Sequence, residues 1–233
     1  MSLPWMSAAE AVRLVPSGDC VFIHGSAPPP VRLFHALLDR HAELRDVELT
    51  AISTFGDLGF DRPEVQGPFF LNSLFVSANM RSTVDGPHGD YVPVFLSEIP
   101  RLFDRGILPL DVALVHVSPP DKHGFCSLGV SVDVARSAVR NARTLIAQVN
   151  PNMPRTLGDG HVHISRFAAL VEVNDPLPEV DYAAQIGPKE RRIAELVSAL
   201  VEDGSTLQLG IGAIPAAILG ALGGHKDLGI HTE

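Results

Sequence analysis

Asp111-Val-Ala-Leu-Val-His-Val117 decides the fold class of this chain. It is a short, largely apolar and β-branched run without the apolar–polar alternation of a half-solvated strand, so it predicts a strand covered on both faces. Strands of that kind belong to parallel sheets with helices above and below. Working outward, Arg143-Thr-Leu-Ile-Ala-Gln-Val149 repeats the pattern after a helical stretch at 131–141. Cys20-Val-Phe-Ile-His24 and Val47-Glu-Leu-Thr-Ala-Ile52 precede it, separated by helical periodicity over 31–44. Leu74-Phe-Val-Ser77 is a weaker strand, 8–15 a first short helix, and 94–103 a short helix interrupted by Pro100. Strands alternating with helices predict an α/β domain with a mainly parallel sheet flanked by helices.

The Pro-rich, acidic stretch Asn174-Asp-Pro-Leu-Pro-Glu-Val180 reads as a linker. We therefore expect a first α/β domain over 1–185 and the start of a second over 186–233. The second opens with an amphipathic helix from Pro188 to Leu200, followed by a strand, Thr206-Leu-Gln-Leu209. After the Gly210-Ile-Gly212 turn comes a helix over 214–222, with Pro215 near its first turn and Gly223-Gly224 past its end. The segment Asp227-Leu-Gly-Ile-His-Thr-Glu233 supplies the last strand. Two strands rarely make an independent domain. The rest of this sheet is expected from elsewhere, and the chain reads as truncated.

Chemistry concentrates in that second unit. Glycines at Gly210 and Gly212 let a backbone approach a ligand closely, and the following helix start presents unpaired N–H groups to an oxyanion or a phosphate. A tight strand-to-helix turn with no ligand is the alternative. The crossover to Glu233 is long enough for a right-handed parallel connection. The turn and Glu233 then lie at the same ends of two strands, about 5 Å apart if the strands are neighbours and about 10 Å if one intervenes. A carboxylate in that position can attack a thioester carbonyl while backbone amides hold the developing oxyanion. A solvated terminal glutamate is the alternative.

Three segments carry a family resemblance. Leu207-Gln-Leu-Gly-Ile-Gly-Ala-Ile-Pro215 with the segment ending at Glu233 is the first. Val117-Ser-Pro-Pro-Asp-Lys-His-Gly-Phe-Cys-Ser-Leu-Gly-Val-Ser-Val-Asp133 is the second, and Asn152-Met-Pro-Arg-Thr-Leu-Gly-Asp159 the third. Together they resemble the acetyl-CoA hydrolase/transferase family, the class I CoA-transferases similar to the 4-hydroxybutyrate and acetate CoA-transferases. The resemblance implies two similar α/β domains and CoA transfer between an acyl-CoA and a small carboxylate through a glutamyl-CoA thioester, or acyl-CoA hydrolysis when water is the acceptor. It implies no metal and no permanently bound cofactor, with coenzyme A entering as substrate. By match, Glu233 corresponds to the nucleophilic glutamate, and Gly210, Ile211, Gly212, Ala213 and Ile214 to the CoA-contacting loop. Family members continue for about as many residues again, so a missing C-terminal half of the same protein is the expected partner, and this chain alone is expected to be inactive. Ala216 departs from the pattern, which has an aspartate after Ile-Pro. The reading from another class is a non-catalytic nucleotide- or metabolite-binding α/β module whose glycine turn holds phosphate.

Composition narrows the classes. Hydrophobic residues at 45% and charged residues at 19% describe a globular chain, and a net charge of −9 argues against nucleic acid as partner. No run approaches the roughly 18 apolar residues of a membrane span, so no membrane partner is expected, and two cysteines point to a reducing cytoplasm. A homo-oligomer is compatible with all of this. Cys126 and His123, three apart in a loop, do not establish a thiol–imidazole pair. His161-Val-His163 lacks a further ligand for zinc and reads as a strand with solvent-facing imidazoles. The 118–129 segment, at the end of a buried strand, either faces an acyl pocket or is a structural loop, with Gly124-Phe-Cys-Ser127 a bend. Asp85-Gly-Pro-His-Gly-Asp90 reads as a turn or mobile loop.

Overall fold

The central strands alternate their side chains between two separate apolar clusters, which is what a both-face-buried run must do. In the computed structural model, which describes residues 4–27 and 29–232, the chain divides into two compact units, Met1–Pro178 and Glu179–Glu233. The first unit runs α1 (Ala8–Ala11), β1 (Cys20–Ile23), α2 (Val31–Leu38), β2 (Val47–Ala51), β3 (Phe69–Ser73), α3 (Arg81–Val84) and β4 (Gly89–Tyr91). It continues through α4 (Ile99–Asp104), β5 (Val112–Val117), β6 (Phe125–Ser127), α5 (Ala135–Asn141), β7 (Thr144–Val149), β8 (His161–His163) and β9 (Ala169–Glu172).

Seven of these strands form one sheet in the order β4-β3-β2-β1-β5-β7-β9, each neighbouring pair parallel. Val112 and Leu114 of β5 join Val21, Ile23 and Ile146 in a cluster with Leu33, Phe34 and Leu37 of α2. Ala113, Val115 and Val117 face the other way, into a cluster with Phe22, Phe103 of α4, and Ala135 and Ala138 of α5. β6 and β8 form a separate antiparallel pair. The N-terminal segment is tied across the far edge: Met6 N donates to the Leu170 carbonyl at 3.0 Å and Leu170 N to the Pro4 carbonyl at 2.9 Å.

Several local expectations shift. The strand expected at 74–77 lies at Phe69–Ser73, because Phe69, Leu71 and Ser73 alternate inward in register with β2, whereas Phe75 is 58% exposed. The helix expected over 31–44 ends at Leu38 and gives way to turns. Pro100 opens α4 instead of interrupting it, since a first-turn proline forfeits no helical hydrogen bond. Phe125–Ser127 is a strand, not a bend, because β8 supplies its ladder. The 85–90 stretch is a turn only as far as His88. Gly89 enters β4, where a Cβ would come 2.9 Å from the Thr83 carbonyl oxygen.

A buried histidine records the neutral state of this core. His24, after β1, accepts the His116 N–H on Nδ1 at 3.1 Å and, through Nε2, donates to the Ser131 carbonyl at 2.6 Å. Burial pushes its imidazole below the usual histidine range. The folded chain therefore holds it neutral, while the unfolded chain takes up a proton near pH ~6.5. The resulting stability is present above that pH and lost as the pH falls below it, by up to about 1.4 kcal/mol per pH unit. Denaturant titrations between pH 7.5 and 5.5 should show stability falling as the pH drops, ever more steeply toward a limit of one proton, and His24→Gln should flatten that fall. An unchanged slope in the variant would assign the acid sensitivity elsewhere.

The second unit comprises α6 (Pro188–Ser198), β10 (Thr206–Leu207), α7 (Ala213–Ala221) and β11 (Gly229–Ile230), with β10 and β11 parallel. Among the described residues, no helix is long and apolar enough to cross a membrane.

Candidate active site

Gly210, Ile211, Gly212, Ala213 and Ile214 carry the chain from β10 into α7. Gly212 caps the helix at φ +113°, ψ −175°, a region open essentially to glycine alone. Its carbonyl accepts the Ala216 amide at 3.1 Å. Ala213 and Ile214 stand in the first helical turn, where no carbonyl lies one turn back, and Pro215 has no N–H. Among the described residues, the Ala213 and Ile214 amides thus stay available where the helix dipole favours an anion. Ile211 is 73% exposed and Ile214 42% exposed beside them.

The returning strand reaches the same place. β11 pairs directly with β10, Thr206 opposite Gly229 and Leu207 opposite Ile230, so no strand intervenes. His231 N donates to the Leu207 carbonyl at 2.9 Å and Leu209 N to Thr232 Oγ1 at 3.0 Å, while the Thr232 hydroxyl donates to the Leu209 carbonyl. Leu209 and Thr232 immediately precede Gly210 and Glu233 in the sequence. Glu233 itself lies outside the described residues. An open hollow of ≈ 620 Å³ is lined here by Thr206, Leu207, Gln208, His231 and Thr232.

The first unit has its own strand-end constellation, which sequence reasoning passed over. From β1 the strand order runs outward in both directions, to β2 and to β5, which makes the crevice beyond the carboxyl ends of β1 and β5 a topological switch point. Ser26 sits there at φ +58° and pairs with Thr54. Asn79 donates to Thr54 Oγ1 at 3.0 Å and to the Gly56 carbonyl at 2.8 Å, so three loops after three strands are tied together. The signal was the clustering of small polar residues after each apolar run, which reads equally as ordinary turn chemistry.

Other candidates resolve plainly. Cys126 is fully buried and its thiol is pushed up to about 11, mainly by burial; Cys20 is likewise pushed up to about 12. Neither is a nucleophile at neutral pH. We expect a thiol-reactive dye to leave both untouched in the native protein and to modify both after unfolding; rapid native labelling of Cys126 would contradict its burial. The 118–129 segment is braced: Asp121 accepts the His123 and Phe125 amides, each at 2.9 Å, and pairs with Arg155 at 2.7 Å. Those contacts, the Phe125 amide foremost, hold its carboxyl below the usual range. His161 and His163 lie on a strand as expected, yet both are half-buried, not solvent-facing, because β8 packs against β6. Among the described residues, no three His, Cys, Asp or Glu side chains converge as metal ligands.

A doubly covered parallel sheet followed by a glycine-capped βαβ unit defines an α/β chain of the CoA-transferase fold. Solved structures that carry it include RipA from Yersinia pestis, with a TM-score of 0.91 and 33% identity, and a 4-hydroxybutyrate CoA-transferase from Porphyromonas gingivalis, with a TM-score of 0.76 and 38% identity. Each match takes in 99% of this chain and, respectively, 56% and 54% of the other. The chain belongs to the acetyl-CoA hydrolase/transferase family, whose N-terminal domain matches residues 4–186. It is 44% identical over 227 residues to a succinyl-CoA:acetate/propanoyl-CoA:succinate CoA transferase of Fasciola hepatica, covering 96% of this chain and 47% of that protein. It is 41% identical over 228 residues to a 4-hydroxybutyrate coenzyme A transferase of Clostridium kluyveri, covering 98% and 53%. The chain thus spans about half the length of the curated relatives it matches.

Proposed function

We propose that the full-length protein transfers CoA between an acyl-CoA and a small carboxylate, with Glu233 as nucleophile and Gly210 to Ile214 as the cradle for CoA and the oxyanion. The observation that carries this is the fastening of Leu209 to Thr232, which joins the residues preceding the glycine turn and the glutamate on two adjacent parallel strands. The two amides left over at Ala213 and Ile214 are the donors such a reaction needs.

The Glu233 carboxylate attacks the acyl carbonyl, breaking the C–S bond to give an acyl-glutamyl anhydride and CoA thiolate. The thiolate attacks the glutamyl carbonyl, releasing the first carboxylate and leaving a glutamyl-CoA thioester. An acceptor carboxylate reverses both steps and departs as the new acyl-CoA, with Glu233 regenerated. Water in place of that acceptor gives hydrolysis. A domain boundary near 185, completion of the second sheet by a further half of the protein, and a cytoplasmic location are parts of the same reading, the last consistent with two free, buried cysteines. Borohydride added to full-length protein incubated with acyl-CoA should reduce the thioester and convert Glu233 to an alcohol, read by peptide mass spectrometry. Reduction at another residue, or at none, would overturn the assignment.

A further inference from the structure

A second cavity, in the first unit, is lined by none of the residues assigned above. It holds ≈ 430 Å³ between α5 and the β6–β8 pair, and three guanidinium groups line it: Arg136 and Arg140 from successive turns of α5, and Arg166 just beyond β8. One carboxylate lies on the same lining, Asp159, paired with Arg136 at 3.0 Å. Arg140 is held from outside the lining by Asp104 at 2.6 Å. Arg166 makes only a long contact, 3.4 Å from Nη2 to the Val139 carbonyl, and among the described residues no carboxylate pairs with it. His161, also on the lining, keeps a buried Nε2 with no hydrogen-bond partner among the described residues. The floor is apolar, from Leu128, Val139 and Val162.

Asp159 and Asp104 offset Arg136 and Arg140, so among the described residues Arg166 is the guanidinium on this lining left without a carboxylate, in a chain whose net charge is −9. Guanidinium groups are the side chains best matched to phosphate oxygens, which they take in pairs. We propose that this cavity binds a phosphorylated small molecule through its phosphate, with Arg166 as the principal ligand, Arg136 and Arg140 as flanking cations, and the apolar floor receiving the attached group. The proposal is independent of the thioester chemistry, because every residue it uses lies in the first unit.

Calorimetric titration with pyrophosphate tests it. Saturable binding is expected, weakened at least about tenfold by Arg166→Gln and strengthened several-fold by Asp159→Asn, which removes the competing carboxylate. A merely structural role for Asp159 predicts the opposite sign for the second variant. If Arg166→Gln lowers the melting temperature, Arg136→Gln serves in its place with the same expected direction. No saturation up to about 10 mM, affinity unmoved by both arginine variants, or weaker binding in Asp159→Asn would overturn the site. ADP and adenosine 3′,5′-bisphosphate, titrated in parallel, separate the sources: tighter binding than pyrophosphate assigns a nucleotide, and equal binding assigns the phosphate group alone.

Discussion

Glu233→Gln in the full-length protein is expected to lower CoA exchange by about 10⁴-fold while acyl-CoA affinity changes by no more than about twofold. The amide is nearly isosteric and still hydrogen-bonds, so it preserves the side chain's size and removes the anionic oxygen that would attack. A group that forms the covalent intermediate acts in the transition state rather than in ground-state binding, so the loss falls on kcat. Steady-state exchange assays with direct measurement of acyl-CoA binding separate the two quantities. Exchange within about tenfold of the parent would show that the glutamate is not the nucleophile, and would return the glycine turn to a binding role.

Gly212→Ala is expected to lower exchange by about 10²–10³-fold with little change in overall stability. The space around a Cβ at this position is open, with no heavy atom within 4 Å, so steric crowding is not the reason. The reason is the backbone: φ +113° with ψ −175° costs an L-residue on the order of 1–3 kcal/mol, and the turn relaxes to avoid it. Relaxation re-aims the Ala213 and Ile214 amides, the donors of the proposed mechanism, and loss of one such donor typically costs about 3 kcal/mol of transition-state stabilisation. Gly224→Ala, with open space and ordinary backbone geometry beyond α7, is the matched control and should leave exchange unchanged. Equal effects from the two variants would refute the argument.

Much of the fold was legible because its central strands are buried on both faces. β1, β2, β5 and β7 announce themselves as apolar runs, and the structure puts all four side by side. The peripheral strands did not. β9 has four residues and β4 has three, with two of the latter exposed. Tertiary pairing fixes such strands, not composition. β6 was misread for the same reason: Gly124 at φ +85° signals a turn, and the partner strand lies more than thirty residues downstream. For the site, the Gly210–Gly212 turn and the parallel return of β11 could be read from glycine placement and crossover length. The arginine-lined cavity could not, since Arg136 and Arg140 look like an ordinary solvated helix face until β8 and Arg166 are brought against it.

The N-terminal tie at Leu170 also has a consequence for biosynthesis. Pro4 and Met6 leave the ribosome well before their hydrogen-bonding partner Leu170, which is translated more than 160 residues later. The same delay governs α2, whose Arg32 amide donates to Gln148 Oε1 at 3.0 Å across 116 positions. β1, α2 and β2 can pair and pack early, but these long-range ties close only near the end of the first unit's translation, and until then the surfaces they cover stay open to a chaperone.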